Sequence, residues 1–448
     1  MGYFQALMGK TLHEFRDPIH TFVIVNTDER RIVDSRPFQR LRHIHQLALT
    51  WLVYPGATHK RFEHCLGVME LAGRVFDILT RAENRRSSGR LNDVFISADP
   101  HDYDHQYWRR VVRLGALCHD LGHIPFSHGA ESLLPQGSHH ENLSLAVIRS
   151  DAMKDLFDQA HVKPDDVAKV AVGPEKWKDV TFKPWEELMS EIVTGDAFGV
   201  DRIDYLLRDS LHAGVAYGRF DHYRLIDSLR ILWDDEQQKA VIGIEQGAVH
   251  AAEAMQLARY YMFEQLYYHR VRLALDAHLR EYLRFYLGLS GYPTSVEAHL
   301  QITDDHVLAK MQDDATDPSA EGHAMARRIL DRKFFRLLYD RRTEDLDRNL
   351  DAVDLVYSAA KQEFGSDHVL RETNIDPKRP ESAAPKPFRF AVEREGGEVV
   401  SSLRISQILG RLPKAVYDDV FVAPEIEEKA EQWLKDNLRG ILGVPEES

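Results

Sequence analysis

The sequence has little cysteine. Cys65 and Cys118 are its two, too few for a disulfide framework and in keeping with a reducing compartment. No apolar run approaches the roughly 20 residues a membrane-spanning helix needs. The opening stretch MGYFQALMGKTLHEF lacks the basic-then-apolar layout of a secretory signal. Ala6 stands where a myristoylation signal needs Ser or Thr. Positive charge is also scarce: 57 Lys and Arg face 71 Asp and Glu, a net charge of -14. A protein that coats nucleic acid usually has a basic surface, so this balance argues against one. It leaves room for an anionic ligand, because a local group of arginines can oppose the global sign. A soluble, cytoplasmic protein is expected, with neither membrane nor nucleic acid as partner.

What remains is an ordinary folded composition, 44% hydrophobic and 29% charged over 448 residues, a length beyond one compact core. Helical periodicity dominates. RPFQRLRHIHQLAL places Phe38, Leu41, Ile44 and Leu47 at helical spacing. One amphipathic helix is expected from about residue 62 to 84, followed by a polar loop or insertion over 85–105. YWRRVVRLGALCHDLG returns to helix, with Gly122 as its stop. GDAFGVDRIDYLLRDSLHAG is a short helix with a turn before Asp201. The stretch from Gly247 to Leu289 is a long helix broken once. Strands are few: 238–245 as a short hairpin, two β-rich runs around Glu-Gly-Gly-Glu in 386–403, and a third strand in AVYDDVFVAP. The fold class is mostly α, a helical bundle with a smaller α+β C-terminal lobe. Its expected divisions are a body over 1–290 with its core at about 37–215, a helical extension over 291–371, a linker over 372–387 and the C-terminal lobe over 388–448.

The chemistry concentrates in LGALCHDLGHIPFSH, residues 114–128. Histidines next to an apolar helix are costly without partners. His119 and His123 share a face if the helix continues that far. His119, Asp120, His64 from HKRFEHCLG and Asp201 from GVDRIDYLLRD make a His2Asp2 set suited to a first-row divalent metal, with positions left open for water or phosphate. Mn, Mg, Fe, Zn and Ni all fit such a set. The blander reading of any one histidine is a core residue with a satisfied hydrogen bond. A histidine close to a metal can also supply the proton an alcohol leaving group needs. His123, His128 and His140 are the candidates, with Glu141 to orient one of them. Arg61 lies one helical turn before His64, and Arg202 adjoins Asp201. With Arg259 and Arg270 they give guanidinium forks suited to phosphate oxygens.

His64, the His119-Asp120 pair and Asp201 resemble the H…HD…D signature of the HD-domain metal-dependent phosphohydrolases. FQRLRHIHQL, YPGATHKRFEHCLGV, CHDLGHIPFSH, HEN and VDRIDYLLRD, in order from about residue 16 to 290, are together similar to the deoxynucleoside triphosphate triphosphohydrolase branch of that superfamily. The resemblance implies hydrolysis at the α-phosphorus of a deoxynucleoside triphosphate, releasing deoxynucleoside and intact triphosphate. It implies a sugar pocket at Gln46, Leu47, Asp209 and Tyr267, the tyrosine ring leaving no room for a 2'-hydroxyl. Tyr205 would face the phosphates, and His269 is a polar neighbour. The family has a lysine where Arg202 stands, a swap that keeps the charge and changes its geometry. Relatives are activated by a guanine nucleotide in a tetramer. Asp34, Gln39, Arg42 and Arg336 match activator positions, whereas His13, Arg16 and Asp340 depart from them. A homo-oligomer, dimer or tetramer, is expected. The alternatives are an HD-type enzyme acting on a cyclic dinucleotide, ppGpp or a nucleoside monophosphate, and a nucleotide-sensing regulator without turnover.

Overall fold

A computed structural model of the chain describes residues 11–84, 91, 97–347, 349–375 and 388–443, without the side chains of Ala82, His128 and Ser290. Two strands, β1 (Leu12–Asp17) and β2 (Thr21–Asn26), open the chain as an antiparallel hairpin. Helices α1 (Thr27–Val33), α2 (Arg61–Leu79), α3 (Tyr103–Cys118), α4 (His140–Ile148), α5 (Asp151–Gln159), α6 (Pro164–Lys176), α7 (Pro184–Thr194) and α8 (Val200–Ala213) follow. After β3 (Leu229–Asp234) and β4 (Lys239–Glu245) come α9 (Val249–Met262), a π turn over Phe263–Tyr267, and α10 (Arg270–Leu287). The remaining elements are α11 (Asp304–Thr316), α12 (His323–Leu330), β5 (Arg336–Tyr339), α13 (Ala352–Phe364), β6 (Val369–Thr373), β7 (Ala391–Glu393), β8 (Val399–Ser401), β9 (Asp418–Val422) and α14 (Glu427–Ile441). The chain is thus mostly helical with a smaller α+β C-terminal region. Among the described residues no helix is long and apolar enough to cross a membrane.

Two compact units interleave along the sequence. The first holds residues 1–259, 292–305 and 387–412; the second holds 260–291, 306–386 and 413–448. In the first, α2 lies at the centre, against α3, α7 and α8. Its apolar residues point all round the helix, from Phe62 and Cys65 to Phe76 and Leu79, and all are buried. A helix apolar on every side has to be surrounded. The sheet of this unit runs β3-β4-β7-β8. In the second unit, β9 lies between β5 and β6, antiparallel to both, and α13 and α14 cover it through Val353, Val356, Ala360, Ala430 and Leu434.

Several expected elements differ. The helix expected over 62–84 ends at Leu79, with Thr80 as its cap and a 3-10 turn over Ala82–Asn84. Phe38 to Leu47 form a one-turn helix, a 3-10 turn and an irregular run rather than one helix. Arg40 explains part of this. Its guanidinium is buried and bonds the carbonyls of His123 and Ile302, which fixes the local path of the chain. The strand at 239–245 does have a hairpin partner, at Leu229–Asp234, which alternation alone did not single out. The strand at 418–422 joins β5 and β6 and not the 391–401 hairpin. The expected insertion over 85–105 loses its end to α3, whose N-cap Asp102 accepts from the backbone of Asp104 and His105. Most of that insertion, and positions 376–387 of the expected linker, lie outside the described residues.

Candidate metal centre

Helix α3 stops at Cys118, so His119 is its cap and Asp120 already lies in a turn. The helix therefore does not reach His123, and the shared helical face expected for His119 and His123 does not exist. The backbone turns instead, with Leu121 N–H on the Cys118 carbonyl and His123 N–H on the Asp120 carbonyl. Gly122 is not the helix stop either. A Cβ there would stand 2.0 Å from the Ser144 nitrogen, so the glycine lets the turn press against α4.

This turn faces the N-terminal ends of α2 and α8. His64, one turn into α2, and Asp201, in the first turn of α8, meet with His64 Nε2 3.0 Å from Asp201 Oδ1. His119 Nε2 lies 3.3 Å from Asp120 Oδ1 and 3.6 Å from Asp201 Oδ1. Asp120 Oδ2 is 3.9 Å from His64 Nε2. His64, His119 and Asp201 offer their ligand atoms within 4.8 Å of one another. Three of the four side chains are buried, while that of Asp201 is 39% exposed and gives the centre its opening.

The residues fit a divalent metal by the way their protons are placed. His119 Nδ1–H donates to the Ala116 carbonyl at 2.7 Å. Its Nε2 is buried and directed at the two aspartates, and although burial lowers the His119 pKa, Asp120 and then Asp201 raise it above the usual value. His64 Nδ1–H donates to Asp204 Oδ2 at 2.8 Å, which likewise turns Nε2 inward. A carboxylate or carbonyl behind each imidazole is how metal sites fix tautomer and ring orientation. The electrostatics ask for a cation. Burial opposes charge on His64, yet hydrogen bonds to Asp201 and Asp204 outweigh it and push its pKa up to about 10. A metal ion would take the place of that proton.

Asp204 was not among the expected site residues. It lies three positions after Asp201 on α8, so both point toward α2. Arg208 Nε and Nη2 clamp it at 2.8 and 2.9 Å, and Arg208 Nη1 reaches Asp17 Oδ2 at 2.8 Å. Gly67 makes room for this group: a Cβ there would stand 2.0 Å from Asp204 Oδ1 and 2.4 Å from Arg208 Nη2. The i, i+4 spacing of Asp204 and Arg208 was the signal available in the sequence.

Beside the candidate metal ligands is a second group. The His123 and His140 rings stack with centroids 3.9 Å apart, and His123 Nε2 is 3.3 Å from Asp120 Oδ1. Burial, then Arg61, then His140, hold His123 well below its usual pKa, so it stays neutral. The orienting carboxylate is Glu131, whose Oε1 accepts from His140 Nδ1 at 2.8 Å. Glu141, expected in that role, is 3.5 Å from the same nitrogen and pairs with Lys176. The backbone at His128 lies in the 3-10 turn Ser127–Leu133; its side chain is outside the described set. The approach to that turn is strained, with Phe126 at φ 57° and Ser127 at φ 55°. Asp304 Oδ1 holds the Phe126 N–H at 2.8 Å.

Cations line the opening. Arg61 Nη1 contacts Asp120 Oδ2, and its Nε donates to Ser127 Oγ at 2.9 Å. Burial would raise the Asp120 pKa, but Arg61, His119 and His123 outweigh it and hold the carboxylate ionised. Arg202 and Arg259 both hydrogen-bond the Tyr205 hydroxyl. Burial and the Arg202 charge lower the Arg259 pKa, against the pull of Asp196, which pairs with Arg202. Asp209 is buried and accepts from His59 Nε2 at 2.7 Å, and the His59 ring stacks on His212 at 4.4 Å. Gln46 Oε1, His59 Nδ1 and His212 Nε2 are buried without partners among the described residues. Leu47 is buried in the same run as Gln46. Tyr267, His269 and Arg270 belong to the second unit, at the π turn and the start of α10. Of the expected activator positions, Arg42 Nε donates to Gln39 Oε1 at 2.9 Å and its guanidinium covers the Phe62 ring, while Asp34 pairs with Arg30. Arg336 lies in the second unit against Phe334.

The HD domain matches residues 61–206, and the HD associated region matches residues 220–446. An uncharacterized protein of Methanocaldococcus jannaschii is 36% identical over 260 residues, 58% of this chain and 47% of that protein. The human deoxynucleoside triphosphate triphosphohydrolase SAMHD1 is 29% identical over 378 residues, 76% of this chain and 56% of that protein. The chain spans about half the length of the curated relatives it matches. A crystal structure of a hypothetical protein from Aquifex aeolicus superposes with a TM-score of 0.75 at 28% identity, covering 94% of this chain and 100% of that one. His64, His119, Asp120 and Asp201 all fall inside the HD match, and the chain belongs to the HD-domain family, in the form that carries an HD associated region.

Proposed function

We propose that the protein is a metal-dependent phosphohydrolase that cleaves deoxynucleoside triphosphates into deoxynucleoside and intact triphosphate. One observation carries the reading: a His2Asp2 set, open at Asp201, has Arg61 on Asp120 and, next to Asp201, Arg202, which shares Tyr205 with Arg259. A divalent ion held by His64, His119, Asp120 and Asp201 would supply Lewis acidity to the phosphate and lower the pKa of water. Arg61, Arg202 and Arg259 bind the triphosphate oxygens and neutralise them. His140, steadied by Glu131 and stacked on the neutral His123, holds the proton that the departing sugar oxygen takes up. Gln46 and Asp209 bind sugar hydroxyls, and Tyr267 excludes the 2'-hydroxyl. Similarity to an enzyme whose name states this substrate class supports the reading. In the same reading the enzyme is a homo-oligomer, dimer or tetramer, activated by a guanine nucleotide at Asp34, Gln39, Arg42 and Arg336.

The test is incubation with each dNTP and rNTP in Mn²⁺ or Mg²⁺, with the products separated. Triphosphate release from dNTPs is expected. Stepwise phosphate loss, or turnover of ppGpp or cyclic dinucleotides instead, refutes the substrate assignment. Sedimentation with and without dGTP checks assembly, and monomer in both rejects it.

A further inference from the structure

We infer that the turn of the N-terminal hairpin is part of the metal centre, and that His20 is a positioning residue that sets its affinity for a divalent ion. The inference rests on the reading that His64, His119, Asp120 and Asp201 hold a metal.

Asp204 is the carboxylate that orients His64, and it is shared. Its Oδ2 accepts from His64 Nδ1 at 2.8 Å, while its Oδ1 accepts from His20 Nε2 at 2.8 Å. His20 lies 184 positions earlier in the chain, in the turn between β1 and β2. Its side chain is 6% exposed and that of Asp204 is fully buried. The turn is built to deliver this contact. Asp17 Oδ1 accepts from the backbone N–H of Ile19 at 2.8 Å and of His20 at 2.9 Å. Asp17 Oδ2 accepts from Arg208 Nη1, the arginine that clamps Asp204. The next residue, Thr21, has φ 66°. A β-branched residue in the left-handed region is strained, and such strain persists where surrounding contacts over-determine it. The hairpin thus grips the Asp204–Arg208 pair at two points, one through each member.

The consequence is directional. His20 and His64 pull on opposite oxygens of one carboxylate, so loss of His20 leaves Oδ1 with Arg208 Nη2 alone and weakens the hold on the carboxylate's orientation, although the Arg208 clamp remains. The His64 ring is then less firmly oriented as a ligand. Partners at this remove from a metal typically change its affinity 10–100-fold. Coupling is reciprocal, so metal binding must also stabilise the hairpin turn.

The experiment is calorimetric titration of Mn²⁺ into the full chain after chelation, for wild type, Asp120→Ala, His20→Ala and His20→Gln. Expected are tight binding by wild type, none by Asp120→Ala, about tenfold weaker binding by His20→Ala, and recovery in His20→Gln, whose amide N–H can replace Nε2–H. Wild-type affinity in His20→Ala, with Asp120→Ala inactive in binding, overturns the role of His20 and leaves the metal reading intact. A wild type that binds no Mn²⁺ overturns both. Amide exchange in the wild type gives a second readout that does not depend on a variant folding. Mn²⁺ should slow exchange at Ile19 and His20, and unchanged exchange there overturns the coupling.

Discussion

Removing Asp204 tests the support of the site most sharply. Arg208 is among the largest fully buried side chains, at 0% exposure, and Asp204 supplies two of the three carboxylate bonds it makes. Asp204→Ala leaves that guanidinium with Asp17 alone, and leaves the Nδ1–H of His64 and the Nε2–H of His20 without their acceptor. Breaking a buried ion pair by removing one partner costs about 3–5 kcal/mol. The metal affinity should fall separately, by about 10–100-fold, because His64 is no longer oriented. Urea unfolding of the metal-free protein reads the first quantity, and Mn²⁺ titration reads the second. Asp204→Asn is the milder variant: its carbonyl oxygen still accepts from His64, so it should lose stability with a smaller loss of affinity. Asp17→Ala is the milder contrast: it removes one Arg208 contact and loosens the turn that holds His20, while both Arg208 bonds to Asp204 and the His64 bond remain, so its loss of affinity should not exceed that of His20→Ala. A stable Asp204→Ala protein that binds metal as tightly as wild type would falsify the reasoning.

The other predictions concern packing, pH and the sugar. Gly67→Ala should destabilise the protein by a few kcal/mol in thermal unfolding, although alanine is the better helix former by about 1 kcal/mol, because its Cβ meets Asp204 and Arg208; a raised melting temperature refutes the close approach. His299 donates from Nε2 to the Leu121 carbonyl and accepts from the Tyr292 hydroxyl, and burial, then Arg40, push its pKa down to about 3. Its unfolded value is near 6.5, so the unfolded chain binds the proton first, and stability present above pH 6.5 is lost as pH falls toward 3. Unfolding free energy should drop by about 2 kcal/mol between pH 6.5 and 5 from this residue, and His299→Gln should flatten that slope; parallel wild-type and variant profiles reject the assignment. Tyr267→Ala should relax discrimination against ribonucleotides in a competition of dNTP with rNTP, and unchanged selectivity removes that residue from the sugar pocket.

Some of the site could be read from the sequence because it sits in local chemistry. An adjacent His119-Asp120 pair at the end of an apolar helix, and a carboxylate opening the helix at Asp201, are visible without coordinates. So is a single break in the long helix over 247–289, though not its place, which the structure puts after Met262. The sequence by itself determined the helical character and offered the candidate ligand types. What it could not settle was where α3 ends: apolar periodicity runs on to Leu121, but tertiary contacts turn the chain at His119. Arg40 bonds the His123 carbonyl and Ser144 Oγ bonds the His119 carbonyl and the Gly122 N–H. The support behind the ligands was decided by tertiary structure for the same reason. His20, Asp17, Asp204 and Arg208 join behind His64 through hydrogen bonds that span up to 191 residues, and a hydrogen bond between distant segments leaves no periodic trace in either one.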